Sequence, residues 1–293
     1  MDALLHRRTP TNFERFIENP LLYLAHTFFY LGTSKLTTNA IPPTSSTRVR
    51  VVMISDTHNH HNELPSIPDG DILIHAGDLT QSGTLEELSS ALQWMHSQPH
   101  PNKIFIAGNH DRAIDIPNKE LKSFLESYPS LVYLHTTSHA VKVRGRTLLV
   151  YGSPLTPKHG SWPFQYPRND PKQAEWAKIP RNTDILVTHG PPAYHLDGRH
   201  GCAALLAELW KVRPRLQVFG HIHAARGVEN VAWSNAQVAY KRICSAKGGL
   251  CDLVMTVAAC YWGKDVTRTT FVNAASLGGF RDEQRRGAIA IDI

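Results

Sequence analysis

Asp56, His58, Asp78, His221 and His223, with the Asn and His residues of companion motifs, are the side chains whose types and spacing suit chemistry in this 293-residue chain. They belong to five short motifs: Asp56-Thr57-His58-Asn59, Gly77-Asp78, Gly108-Asn109-His110-Asp111, Thr188-His189-Gly190 and Gly220-His221-Ile222-His223. Carboxylate, amide and imidazole together suit a divalent transition metal. Residues two apart in an extended chain share a face, so Asp56 and His58 can reach one ion, and His221 and His223 can serve one cluster. The ligands are too many for a single ion. Two dications a few ångströms apart repel strongly and need an anionic bridge, a place open to Asp78. Two-metal sites hold their ions about 3.5–4 Å apart and clamp attacking and leaving oxygens together. The pattern reads as a two-metal hydrolase.

One D-x-H or H-x-H means little in a chain with 17 histidines. The weight lies in the order of the motifs and in what precedes each. Val51–Ile54, Ile72–Ile74, Ile104–Ala107, Ile185–Val187 and Val218–Phe219 are apolar runs that read as buried strands, delivering ligands to one sheet edge. Helices are expected at Leu85–His96, Lys119–Ser127 and Ala203–Val212. Further strands are expected at Val132–Leu134, Ala140–Val150 with a turn at Gly145, Leu216–Phe219, Phe271–Ala274 and Ala288–Ile293. Strands alternating with helices, with hairpins mixed in, predict an α/β sandwich.

The motif set resembles the calcineurin-like metallophosphoesterase superfamily, with its D-x-H, G-D, G-N-H-D, H-G and G-H-x-H blocks, from Arg48 to Ile293. His189-Gly190-Pro191-Pro192 and Asn273-Ala274-Ala275-Ser276 resemble the branch of metallophosphoesterase-domain-containing proteins, which is associated with cyclic-nucleotide phosphodiesterase activity. The resemblance implies a four-layer α/β/β/α sandwich of two mixed sheets, with a dinuclear metal site at the sheet edge. It implies Asp56, His58, Asp78 and His223 around one ion and Asp78, Asn109, His189 and His221 around the other, Asp78 being shared. His110 matches the residue that contacts the phosphate and protonates the leaving oxygen, with Asp78 or Asp111 as partners for its ring. Asp78, Asn109 and His110 thus form the expected catalytic group, acting on a phosphodiester attacked by a hydroxide that bridges the metals. Mn²⁺ is the first choice for the mixed ligand set; Fe and Zn suit it as well.

Composition agrees. Lys and Arg exceed Asp and Glu by 31 − 25 = 6, which favours anionic substrates such as phosphoesters or nucleotides. No dense basic run or nucleic-acid motif is present, so no nucleic-acid partner is expected. Cys202, Cys244, Cys251 and Cys260 show neither CxxC spacing nor a disulfide framework, which points to a reducing, cytoplasmic compartment.

Residues 1–47 read as an apolar extension and linker, and 48–293 as the metallophosphoesterase domain with an insertion at about 231–265. The run Leu21–Leu31 is shorter than the ~20 residues a spanning helix needs. It is expected to dock on the domain; the competing reading is weak, peripheral membrane association through its aromatic residues. Thr37–Ser46 reads as the linker. The insertion, apolar at Leu253–Tyr261, is expected to pack against the core.

Five residues are candidates for touching substrate. Trp162 and Phe164 sit in a loop rich in Pro and aromatic residues, either pinning it or stacking on a nucleobase. His195 and His200 follow the His189 motif, and Arg226 follows His223 closely enough to steady a phosphate. Two other classes of function compete with catalysis: a nucleotide-binding regulator with little turnover, and an interaction scaffold.

Overall fold

Val51 and Met53 point to one face of their strand and Val52 and Ile54 to the other, and all four are buried. Strands covered on both faces are continuous apolar runs, the signature of a parallel sheet between two layers. The computed structural model describes residues 11–37, 48–115, 119–262 and 267–293. Contacts divide the chain into two units, one of residues 44–228 and 270–293, the other of residues 1–43 and 229–269.

In the larger unit the elements are β1 (Arg50–Ile54), β2 (Ile72–Ala76), the first long helix (Leu85–Ser97), β3 (Asn102–Ile106), a helix at Lys119–Glu126, β4 (Leu131–Tyr133), β5 (Thr137–Val143) and β6 (Arg146–Ser153). Then come β7 (Thr156–Pro157), β8 (Gln165–Tyr166), β9 (Ile185–Thr188), a helix at Ala203–Val212 and β10 (Leu216–Phe219). β11 (Gly227–Ala232) carries the chain out and β12 (Arg268–Asn273) carries it back, before β13 (Leu277–Gly278), β14 (Gln284–Arg285) and β15 (Ile289–Asp292).

The first sheet has the order β15-β1-β2-β3-β4, antiparallel only at β15. The second contains β12-β10-β9-β6-β5 in that order, antiparallel only at β5. The β5–β6 hairpin turns at Arg144-Gly145, both with positive φ (46° and 73°), as a two-residue turn matched to strand twist requires.

Period-two alternation builds the layers. Val51, Met53, Ile72, Ile74, Ile104 and Ile106 of the first sheet share one core with Val141, Val150, Ile185, Val187, Val218 and Val272 of the second. The other face of the first sheet, through Val52, Ile54, Leu73 and Phe105, packs on Leu88, Leu92 and Met95 of the helix Leu85–Ser97. The helix Ala203–Val212 connects parallel neighbours β9 and β10 and must cross one face of their sheet; the inner face is filled by the first sheet. Two mixed sheets flanked by helices give the expected sandwich.

The smaller unit is helical: Asn12–Glu18, Pro20–Thr37, Asn235–Cys244 and Leu250–Trp262. Asn19 accepts the Leu22 N–H at 3.0 Å and Pro20 opens the long helix, the residue types suited to a helix start. Phe29 stacks on Tyr240 with ring centroids 4.1 Å apart, and the Tyr240 hydroxyl lies 2.8 Å from His26 Nδ1. The N-terminal helix therefore docks on the helices of the inserted segment. None of the described helices is long and apolar enough to cross a membrane. Of the expected linker at Thr37–Ser46, all but Thr37 lies outside the described residues. Cys202, Cys244 and Cys251 are in no disulfide; the Cys260 side chain lies outside the described ones.

Candidate metal centre

Each site residue leaves the C-terminal end of a parallel strand: Asp56 and His58 after β1, Asp78 after β2, Asn109 and His110 after β3, His189 after β9, and His221 and His223 after β10. That edge is where open α/β sheets place ligands. The backbone there is bent hard. Asp56 (φ 52°), His58 (42°), Asn59 (66°), Asp78 (54°) and His221 (68°) occupy the left-handed region. A residue held there costs on the order of 1–3 kcal/mol, and such strain gathers at functional sites. Gly108 and Gly220 allow the close approach: a Cβ on Gly108 would meet Asp78 and the His189 ring, and one on Gly220 would meet the Asp56 carboxylate.

Seven sequence-selected ligand candidates converge. Ligand atoms of Asp56, His58 and His223 all lie within 4.8 Å of one another, as do those of Asp78, His189 and His221. Asp78 Oδ1 accepts the His110 N–H at 2.8 Å, leaving Oδ2 at 3.3 Å from His189 Nε2 and 3.7 Å from His58 Nε2. Asn109 Oδ1 is 3.1 Å from His189 Nε2. On the other side, His223 Nε2 is 3.3 Å from Asp56 Oδ1 and from His58 Nε2. Both oxygens of Asp56 accept the His221 N–H, at 2.9 and 3.0 Å.

Two histidines are aimed by their outer nitrogens. His189 Nδ1 donates to the Ala76 carbonyl at 2.9 Å, and His223 Nδ1 sits 2.8 Å from Asp282 Oδ1. Each leaves Nε2 facing the cluster, the arrangement by which outer partners orient metal-binding imidazoles. Asn273 Nδ2 donates to the Ile222 carbonyl at 3.0 Å, which fixes the residue between the two histidines of the last motif.

The electrostatics favour positive charge in the cluster. Burial works to raise Asp56 and Asp78, yet His223 and His189 hold both carboxyls below their ordinary value. Burial works against protonation of His189 and His223, but Asp78 lifts the first to about 9, and Asp282 with Asp56 lift the second to about 10. Burial pushes His221 down to about 3 and lowers His58, keeping both neutral and able to ligate. Buried carboxylates, the neutral imidazoles of His58 and His221, an amide oxygen, and the aimed imidazoles of His189 and His223, each of which would release its Nε2 proton when an ion binds, fit divalent cations.

His110 stands beside the cluster, its ring centroid 4.5 Å from that of His58. Its Nδ1 donates to the Gln81 carbonyl at 2.8 Å, and a ring nitrogen lies within 4.8 Å of an Asp78 carboxylate oxygen and of a His58 nitrogen. Asp111 is committed elsewhere: it accepts the N–H groups of Gly108 (2.8 Å), Leu79 (3.2 Å) and Thr80 (2.9 Å) and the Thr80 hydroxyl (2.7 Å), tying two ligand loops together.

The substrate candidates separate. Trp162 stacks on His110 with centroids 4.4 Å apart, and the Arg112 guanidinium lies 4.8 Å from the indole centroid. Phe164 is buried with the helix Leu85–Ser97 in the core of the first sheet, so it offers no face to a base. His195 is fully buried against Phe271, centroids 5.2 Å apart, and His200 is exposed. Arg226 donates from Nη1 to the carbonyls of Ala274 (3.2 Å) and Ala275 (2.6 Å) and from Nη2 to Gly287, so its guanidinium braces the last strands instead of a phosphate.

Sequence reading missed His159, 4.9 Å from His221 by ring centroids, and Asp282. Neither lies in a ligand motif, and only chain folding brings them to the edge.

The chain belongs to the calcineurin-like phosphoesterase family, whose sequence profile matches residues 49–225. It is 44% identical over 308 aligned positions to Probable rhamnogalacturonate lyase C of Emericella nidulans, covering 100% of this chain and 29% of that protein. It is 37% identical over 206 positions to human Metallophosphoesterase domain-containing protein 1, covering 61% of this chain and 62% of that protein. A UPF0046 protein of Caenorhabditis elegans is 34% identical over 203 positions, 64% of this chain and 68% of its own length. The chain thus spans less than two thirds of the first two relatives.

Proposed function

We propose that this chain is a metal-dependent phosphodiesterase acting on nucleotide diesters, cyclic nucleotides among them. One observation carries the reading: Asp78 Oδ2 lies between His58 Nε2 and His189 Nε2, at 3.7 and 3.3 Å, with a ligand group on either side. Asp56, His58, Asp78 and His223 would hold one ion, and Asp78, Asn109, His189 and His221 the other. Mn²⁺ suits this set best, with Fe and Zn also compatible. When bound, two such ions supply charge for the phosphoryl oxygens and lower the pKa of water towards neutrality.

The residues of the chain do the rest. His110 keeps one proton on Nδ1, fixed by the Gln81 carbonyl, so Nε2 is the nitrogen from which a second proton can pass to the leaving oxygen. Trp162 holds that ring by its face. Asp111 fixes the loops that carry Asp78 and Asn109, keeping the ligand groups in register.

The lyase in the name of the Emericella relative describes a protein of which this chain matches 29%, and no observation in the site favours it. The test is elemental analysis of purified protein combined with a panel of phosphomonoesters, linear diesters and cyclic nucleotides under Mn²⁺, Fe²⁺ and Zn²⁺. Turnover of diesters by protein holding two ions per chain is the expected result. Two bound ions with no turnover of any ester would sink the enzyme reading and favour a nucleotide-binding regulator.

A further inference from the structure

The family profile ends at residue 225, yet the chain beyond it returns to the metal centre. After β13 a tight turn, with Arg281 and Asp282 both at positive φ (57° and 58°), places Asp282 Oδ1 at 2.8 Å from His223 Nδ1. The turn is held at several points. Arg285 binds the Asp282 carbonyl at 2.6 Å and Glu63 at 2.8 Å, and Arg286 donates to the His223 carbonyl at 3.0 Å. A carboxylate is thus locked onto the outer nitrogen of one candidate ligand, whereas His189 has only the neutral Ala76 carbonyl at the same place.

We infer that Asp282 is a positioning residue for His223, making one of the two ion sites tighter than it would otherwise be, and that the segment 277–286 completes the metal centre. The inference rests on the dinuclear reading above. The physical reason is directional. A carboxylate on Nδ1 keeps the proton there, aims the Nε2 lone pair at the cluster and raises its basicity, and loss of such outer partners typically weakens metal binding about 10–100-fold. The two sites should therefore respond unequally to a change at Asp282, since it binds His223 of one group, whereas His189 of the other is held by the Ala76 carbonyl and faces Asn109.

Asp282→Asn keeps size and an acceptor oxygen but removes the charge; Asp282→Ala removes both. Calorimetric titration of metal-free protein with Mn²⁺ alone reads the two sites without turnover. The wild type should take up two ions. Asp282→Ala should weaken one of them by about 10–100-fold, with Asp282→Asn between the two, while the other site stays close to wild type. Equal weakening of both sites would assign Asp282 to the fold alone and overturn the inference. Two ions bound with unchanged affinity in both variants would also overturn it, leaving the dinuclear reading intact. A wild type that binds fewer than two ions overturns both.

Discussion

The indole of Trp162 lies against the imidazole of His110, centroids 4.4 Å apart and planes 27° from parallel. Aromatic contacts of this kind contribute about 0.5–1.5 kcal/mol. On sequence grounds Trp162 was a candidate for stacking on a base. The structure sets it against His110, the proposed proton donor, so Trp162→Ala should reduce kcat by roughly 3–10-fold, the rate equivalent of that contact. The loss should be largest on diesters with alkoxide leaving groups and small on nitrophenyl diesters. A rise in KM for nucleotides alone, with kcat unchanged, would return Trp162 to the role of base platform.

Asp78→Asn and His110→Ala should fail in different ways. An amide at position 78 cannot offset two adjacent dications, so activity and metal content should fall together. His110→Ala should retain its metal and lose rate by ~10²–10⁴-fold, less on acidic leaving groups. Elemental analysis beside turnover on two leaving groups separates the cases; an Asp78→Asn protein with two ions and a normal rate would rule out the bridge.

His75, beneath the cluster on β2, is fully buried and hydrogen-bonded to the Thr57 hydroxyl at 3.0 Å. Burial drives its imidazole from 6.5 down to about 3. The unfolded chain therefore binds more protons than the folded one between these values, so stability present above pH 6.5 is lost as pH falls towards 3. One such group contributes a slope of at most about 1.4 kcal/mol per pH unit. Urea unfolding of metal-free protein at pH 7, 6 and 5 should show a shallower loss for His75→Gln than for wild type. Identical slopes would mean that His75 does not titrate on unfolding.

Phe29→Ala removes a buried ring stacked on Tyr240. Phe→Ala at such a site costs about 3–5 kcal/mol. Hydrogen exchange should speed up in the amides of Asn235–Cys244 and Leu250–Trp262, the helices that share this contact unit with Phe29. Unchanged protection there would show that the N-terminal helix adds nothing to the stability of the inserted one.

The sequence by itself determined the strands and the ligand edge. Val51–Ile54, Ile72–Ile74 and Ile185–Val187 are apolar without interruption because both faces of each strand are covered, and a polar residue directly after such a run can only emerge at the sheet edge. That local rule marks the five motifs, the family resemblance selects Asp56, His58, Asp78, Asn109, His189, His221 and His223 within them, and all seven are at that edge. What only the tertiary structure decided is what surrounds them. Asp282 reaches His223 across 59 positions, Arg226 spends its donors on the Ala274 and Ala275 carbonyls, and Phe164 turns into the core while Trp162 two residues earlier meets His110. The docking of the N-terminal helix on the inserted one belongs here too, since Phe29 and Tyr240 are 211 positions apart (240 − 29). Apolar periodicity says that a face must be covered, but it carries no information on which distant segment covers it. That choice is made by shape and hydrogen-bond geometry once the chain has closed on itself.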